Sequence, residues 1–397
     1  MVKKRLIHVV ASTGVSGVTA VIRFLSLGMM ERGWVVYFVH YGNNDGFCEA
    51  LANQGVHVVN IKPLPRFIQP LRTYWLIRNM KNILAGISPS IIHAHSFDAD
   101  LISARAALGH QIPLLVTCHS RSYVGWVKEH IRQYEQLDRY IGRYVCVSNL
   151  LQKELSAVHT LSRDRIQTIY NAPGISFFEP VTLIEREKSR GKLGILSDEL
   201  VITCVANYHP VKGQEVLAEA FARLTKNHNN RLILVGSENH RYNGDSIKQK
   251  VTDILEKAGF MNRCLMIEDC HDVRPFLAAS DIYVQPSHQE GLSVALGEAF
   301  ACGLPAVVTS AGGNPEMVSV GQNGFVVSPA HPGEMAAAIE ALAENKDTRK
   351  NMGAQSLQFA KKYLHPDVIL KAYWELYDEL SKKAENKIDE NPLFRPS

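Results

Sequence analysis

The run Asp281-Ile-Tyr-Val-Gln-Pro-Ser287, then Glu290-Gly-Leu-Ser-Val-Ala-Leu-Gly-Glu298, then Ala299-Phe-Ala-Cys-Gly-Leu-Pro305 decides the reading of this chain. The first piece is short and apolar, as a buried strand is, and it stops at Pro286. The last piece reads as a helix stopped by Gly303 and Pro305. Glu290 then falls on the strand-to-helix turn, and Glu298 about one and a half turns into the helix. Gly291 lets backbone approach a ligand closely. The helix start, with Leu292 and Ser293, offers N–H groups and a positive dipole end to an anion. A sugar nucleotide fits this arrangement, with its diphosphate on the helix start, its ribose hydroxyls on Glu298 and its sugar facing Glu290. Two glutamates on one helical segment are ordinarily solvated surface charges. The context weighs against that here. Gly312-Gly-Asn-Pro-Glu316 follows the next apolar run, 306–309, and turns at the ends of successive strands are where open α/β sheets bind ligands.

Outward from this stretch, the chain alternates apolar runs with amphipathic segments. Strands are predicted over 6–11, 35–41, 56–61, 91–94, 114–118, 144–147 and 166–170, with helices between them that include 18–32 and a single helical stretch 124–137. Residues 172–198 break the rhythm with Pro173, Gly174, Pro180 and a charged stretch 185–192, and read as an interdomain connection. Strands then return at 200–206, 231–235, 264–267 and 282–285, separated by helices that include 242–258. Amphipathic helices 352–362 and 366–383 end the pattern. Strands alternating with helices imply parallel sheets covered on both faces. The expected architecture is α/β, two Rossmann-like domains facing a cleft, with boundaries 1–178 and 179–397.

At 397 residues, 46% apolar and 21% charged, the composition is that of a globular protein. No run of 18 uncharged apolar residues predicts a membrane span. The basic start, Met-Val-Lys-Lys-Arg, leads into an apolar run too short for a signal peptide. The seven cysteines have no metal spacing, and several sit in apolar runs as buried thiols would. His93 and His95 lie two apart with no third ligand near them in sequence, so no metal is expected. The net charge of +4 is uneven: residues 1–180 carry +8 and residues 181–397 carry −4. A basic first half suits an acidic partner such as an anionic membrane surface. Lys62, Arg66, Arg72, Arg78 and Lys81, interleaved with Phe67, Tyr74 and Trp75, are the stretch that would lie on one; an ordinary helix packed on the sheet explains them equally well. No nucleic-acid signature is present.

Further candidate residues follow the other strands. Ala206-Asn-Tyr-His-Pro-Val-Lys-Gly213 places Asn207, His209 and Lys212 beside the same site, where a lysine is a point charge for a diphosphate. Ser12-Thr-Gly-Val-Ser-Gly17 is a loop whose Gly14 and Gly17 would let backbone N–H groups meet a phosphate or sugar, although a plain connection reads the same. His119, at the end of 114–118, suits donation to a sugar hydroxyl; His95 has the same position after 91–94, and a structural role is the ordinary one for both. Asp98 and Asp100 open a helix, where acidic residues complement the dipole, and this reading outweighs a metal site.

Taken together, these residues resemble the retaining family 4 glycosyltransferases of the two-domain GT-B fold. The resemblance is strongest over 281–325, with Glu290 and Glu298, Ala301-Cys-Gly-Leu-Pro305 and Gly313-Asn-Pro-Glu-Met-Val318. It includes 207–213, Val145-Cys-Val-Ser-Asn149 and Ile169-Tyr-Asn171, and covers nearly the whole chain. The family often carries an arginine with the lysine beside the diphosphate; Asn207 and His209 stand here, with Lys212 retained. The family's Asn-Gly-Val-Asp turn is Asn171-Ala-Pro-Gly174. The resemblance implies transfer of a sugar, with retention, from a nucleoside-diphosphate sugar to a saccharide or lipid-linked acceptor in envelope polysaccharide or lipopolysaccharide synthesis. It implies no metal or other cofactor, a front-face reaction, a cytoplasmic protein with a candidate place at the inner face of the membrane, and C-terminal helices that cross back to the first domain. Glu290, Lys212 and His119 take the catalytic places. A sugar-nucleotide epimerase of the same fold and an inactive partner subunit are the alternatives.

Overall fold

The first sheet reverses its order beside its first strand. In the computed structural model, which describes residues 3–11, 17–42, 46–65, 68–108, 110, 112–158, 161–224, 229–238, 245–270 and 272–389, seven strands form it: β1 (Arg5–Val10), β2 (Val35–His40), β3 (His57–Asn60), β4 (Ile91–Ala94), β5 (Leu114–Cys118), β6 (Ile141–Cys146) and β7 (Ile166–Thr168). They are ordered β3-β2-β1-β4-β5-β6-β7, all parallel. A second sheet repeats the plan with β8 (Leu200–Val205), β9 (Asn230–Val235), β10 (Cys264–Ile267), β11 (Ile282–Gln285), β12 (Ala306–Thr309) and β13 (Gly324–Val327), ordered β10-β9-β8-β11-β12-β13. The direction in which successive strands are added reverses between β1 and β4, and again between β8 and β11, while every strand stays parallel. Such switch points leave a gap at the carboxyl ends of two neighbouring strands. Central strands are buried on both faces, as Leu6, Ile7, Ile92, Leu115, Ile202 and Val284 show at zero exposure. This is why they read as continuous apolar runs.

The chain divides into two units, residues 1–170 with 367–397, and residues 171–366. The change comes at Tyr170/Asn171, ahead of the sequence boundary at 178, for a local reason. Asn171 donates to the Leu292 carbonyl (3.3 Å), and Phe178 meets His365 edge-on within the second unit. The stretch 172–198 is not a bare connection. It holds the helix Leu183–Lys192, whose cap Thr182 accepts from the Glu185 amide. Arg186 and Arg190 of that helix both reach Asp281 at 2.7 Å, so its charges serve folding. The last two helices differ in allegiance. Lys346–Tyr363 packs on Val294–Ala301 in the second unit. Pro366–Asp389 gives its residues from Asp367 onward to the first unit. There Lys4 pairs with Asp378 (2.7 Å), and Tyr377 reaches His93. The stretch 124–137 is two helices, Arg121–Glu129 and Ile131–Leu137, broken at His130.

Candidate active site

Glu290 is held from three sides at the carboxyl ends of β8 and β11. Its Oε1 accepts from Lys212 Nζ (2.6 Å), Ser287 Oγ (2.8 Å) and Gln285 Nε2 (3.3 Å). The side chain of Glu290 is 8% exposed and that of Lys212 29%. Lys212 ends a short turn, Pro210–Lys212, whose first amide, Val211 N–H, donates to His209 Nδ1. Burial, and then the nearby Lys212, push the His209 imidazolium down, so His209 acts as a neutral cap. Gly213 has φ +67°, and a Cβ there would lie 2.2 Å from the Pro286 carbonyl oxygen. Only glycine lets this loop close on the end of β11 and bring Lys212 to Glu290. Asn207 Oδ1 accepts from the Ser237 amide (3.1 Å), tying the loop after β8 to the one after β9.

The turn after β11 is fixed by polar residues that the sequence reading left without a role. Gln285 is buried at the end of an apolar strand. Its Oε1 accepts from Tyr283 (2.7 Å) and Ser293 Oγ (3.0 Å), and its Nε2 donates to Ser287 Oγ (2.9 Å). A glutamine at that place in an apolar run is the signal that was there to be read. Gly312 has φ +59°, and a Cβ would lie 2.0 Å from the Glu290 carbonyl oxygen. The glycine pair after β12 therefore lies directly on the Glu290–Gly291 backbone, and Gly313 N–H donates to the Gly291 carbonyl (2.9 Å). Gly291 and Leu292 are buried in this turn. Ser293 caps the helix Val294–Ala301 by accepting from the Leu296 amide, while its own amide donates to Asn314 Oδ1. Two first-turn amides are thus already engaged.

Glu298 lies in that helix where the sequence put it. Its carboxyl is pushed up to about 7, first by burial and then by Asp272. No hydrogen bond or ion pair holds it among the described residues, while the residue keeps partial contact with solvent. A carboxyl group that no described residue engages, beside solvent, is available for hydroxyl donors of a ligand.

The second unit therefore gathers Asn207, His209, Lys212, Glu290 to Ser293 and Glu298. His119 and Gly17 belong to the first unit. Gly17 opens the helix Gly17–Glu31 and is exposed; Gly14, with Arg66 and Phe67, lies outside the described residues. His119 is half-buried at the end of β5, and burial pushes its imidazolium down to about 4. His93 and His95 do have a third histidine near them. His8 on β1 faces His93 in register, and the three offer ring nitrogens within 4.8 Å of one another. Both nitrogens of His93 are occupied by hydroxyls, Tyr377 at Nδ1 and Thr117 at Nε2, each 2.7 Å away. The cluster therefore does not turn three free lone pairs toward one ion. Asp98 and Asp100 lie in the first turn of Phe97–Ala106, but they differ. Asp98 is exposed. Asp100 is buried, its Oδ2 accepts from Tyr123 (2.5 Å) and Tyr134 (2.8 Å), and burial raises its carboxyl far above the ordinary range.

The family model for Glycosyl transferases group 1 matches residues 185–359, and that for Glycosyltransferase Family 4 matches 15–172. The chain belongs to the family 4 glycosyltransferases. Among curated relatives, it is 23% identical over 383 residues to the N-acetyl-alpha-D-glucosaminyl L-malate synthase of Bacillus anthracis, covering 94% of this chain and 96% of that one. It is 25% identical over 300 residues to a D-inositol 3-phosphate glycosyltransferase of Corynebacterium efficiens, covering 70% and 68%. Among solved structures, Anabaena HepE in complex with UDP superposes with a TM-score of 0.83 at 20% identity, covering 95% of this glycosyltransferase and all of that chain (100%). The fold of the two parallel-sheet units is therefore GT-B.

Proposed function

We propose that this glycosyltransferase moves a sugar, with retention, from a nucleoside-diphosphate sugar to an acceptor hydroxyl in the synthesis of an envelope polysaccharide or lipid-linked glycan. The observation that carries the reading is the Lys212–Glu290 pair at the β8/β11 switch point, with Glu298, which has no partner among the described residues, in the helix that follows. Glu298 accepts the two ribose hydroxyls. Lys212 and the helix start meet the diphosphate, whose charge grows as the glycosidic bond breaks. Glu290 favours the cationic, oxocarbenium-like sugar. Its Oε1 accepts three hydrogen bonds, a poor state for a nucleophile, which supports a front-face reaction over a covalent intermediate. HepE, which binds UDP and glucose in its solved complexes, supports a nucleotide-sugar donor. Purified protein incubated with candidate sugar nucleotides, with and without saccharide acceptors, should release nucleoside diphosphate and form a glycoside. A new sugar nucleotide without acceptor would indicate an epimerase, and neither product an inactive partner subunit.

Activity is expected to survive excess chelator, because Lys212 and backbone amides supply the positive charge at the leaving group. Loss of transfer on chelation, restored by manganese or magnesium, would overturn this.

The acceptor is proposed to be lipid-linked at an anionic membrane surface. No helix among the described residues is long and apolar enough to cross a membrane. On the helix Gln69–Ile87, however, Leu71 (61%), Tyr74 (66%) and Trp75 (39%) are exposed. Arg78 and Lys81 continue the same stripe. Each basic residue near such a surface contributes about 1 kcal/mol and is screened by salt. The protein should sediment with anionic vesicles at low salt and be released at high salt, and changing Arg78 and Lys81 to Glu should abolish this without altering donor binding. A wild-type protein that ignores anionic vesicles at low salt would make a soluble acceptor the better reading.

A further inference from the structure

Three histidines form one hydrogen-bonded chain across the middle of the first sheet. His8 lies on β1, His95 follows β4 and His119 follows β5, and these strands are neighbours in that order. His8 Nδ1 and His95 Nε2 are 2.9 Å apart, and His95 Nδ1 and His119 Nε2 are 3.1 Å apart. The main chain of the middle residue is anchored, since the His95 backbone amide donates to the Val9 carbonyl (3.0 Å). His93 packs beside it, with ring centroids 3.9 Å apart, and is pinned in turn by Tyr377 and Thr117. His8 and His95 are buried and His119 is half-buried. The chain thus runs from the core outward, and Nδ1 is the nitrogen of His119 left outside it.

Such a chain has two possible proton orders. Burial keeps every ring neutral: His8 is pushed down to about 3, His119 to about 4 and His95 well below its ordinary value. A neutral imidazole has one donor and one acceptor. In the first order, His8 Nδ1–H donates to His95, and His95 Nδ1–H donates to His119. The remaining proton then sits on His119 Nδ1, and His8 Nε2 is a bare lone pair. In the second order every bond runs the other way, and His8 Nε2 carries a proton. His8 Nε2 decides between them, because it is buried with no partner among the described residues. Orphaned buried N–H groups are rarer in proteins than under-satisfied acceptors. An unpaired donor in the core is the worse of the two ends.

We propose that His8 and His95 are positioning residues that hold His119 in its Nδ1–H tautomer, so that this site offers a ligand oxygen a hydrogen-bond donor and no base. In water the Nε2–H tautomer of histidine is preferred, so the chain inverts the default of the ring. The catalytic consequence rests on the family reading of His119 as a contact of the donor sugar. A sugar hydroxyl oxygen would then accept from Nδ1, and His119 would remove no proton.

The test is a long-range nitrogen–proton correlation spectrum of the full chain labelled with nitrogen-15 at histidine, recorded at neutral pH. His119→Gln identifies the His119 signals by their loss. The Nδ1–H pattern is expected for His8, His95 and His119, exceeding Nε2–H at His119 by about tenfold or more. His95→Leu cuts the chain and should return His119 to Nε2–H or an even mixture; His8→Leu should shift it the same way, less far. An Nε2–H His119 in the wild-type protein overturns the proposal without any variant having to fold. So does a His119 tautomer that His95→Leu leaves unchanged in folded protein. Stoichiometric zinc in the purified protein, lost in His8→Leu, also overturns it, since the cluster would then be a metal site. The spectra need no sugar nucleotide, so they stand apart from the transfer assay. If His119→Gln transfers sugar normally while the spectra are as expected, the sugar contact falls and the histidine chain stands.

Discussion

Lys212→Ala is expected to lower turnover by about 10²–10³-fold while weakening sugar-nucleotide binding much less. The ammonium lies 2.6 Å from Glu290 with its side chain partly in solvent. In the proposed reaction it would stabilise charge that is larger on a departing diphosphate than on the bound donor. An interaction stronger in the transition state than in the ground state appears in kcat rather than in affinity. The substitution also strips the 8%-exposed Glu290 of its cation. Ser287 and Gln285 still donate to that carboxylate, so the protein should remain folded, with a lowered Tm that must be measured beside the kinetics. Equal losses in affinity and turnover would mean uniform binding instead. Unchanged turnover in folded protein would remove Lys212 from the chemistry.

Much of this site is local in sequence, which is why it was legible. Glu290, Ser293 and Glu298 sit on one strand–turn–helix unit. Its limits are written in Pro286, Gly303 and Pro305, and the helix came out as Val294–Ala301. The alternation of apolar runs likewise marked the strands, because parallel strands buried on both faces leave few polar positions to confuse the pattern. What the sequence hid is long-range pairing. Lys212 and Glu290 were read as separate contacts of a ligand, yet they are 78 residues apart and bonded to each other. His8 was not recognised as the neighbour of His93 and His95, because strand order, not sequence distance, joins β1 to β4. The charged stretch 185–192 read as a connection because its arginines looked solvated. Their partner, Asp281, lies some 90 residues on. Asp100 read as a helix-end charge because the tyrosines that bury it, Tyr123 and Tyr134, arrive from later helices.

Glu298 should set a conflict between stability and donor binding, and Glu298→Gln should separate the two. Its carboxyl is raised from 4.5 to about 7, chiefly because burial disfavours the charge. A group whose folded pKa is raised favours the folded state fully below its unfolded value, and that contribution is lost as pH rises through the folded pKa. Above pH 7 the ionised Glu298 therefore costs stability, by at most roughly 3 kcal/mol given its residual solvent contact. Glutamine is never ionised, so the variant should melt several degrees higher than wild type at pH 8, with the gain fading toward pH 4.5. Donor binding should move the opposite way. Hydrogen bonds from ribose hydroxyls to a carboxylate are worth roughly 1.5–3 kcal/mol, so the variant should bind donor about tenfold or more weakly at pH 8. Wild-type affinity should fall as pH drops through 7 and Glu298 takes up its proton, while the variant's affinity stays flat. Calorimetric titration with a nucleoside diphosphate across this range, paired with thermal melts, measures both. A higher melting temperature with unchanged affinity would leave Glu298 a strained structural carboxylate and assign the ribose to another group; a lower one at pH 8 would mean that unrecognised partners stabilise its charge.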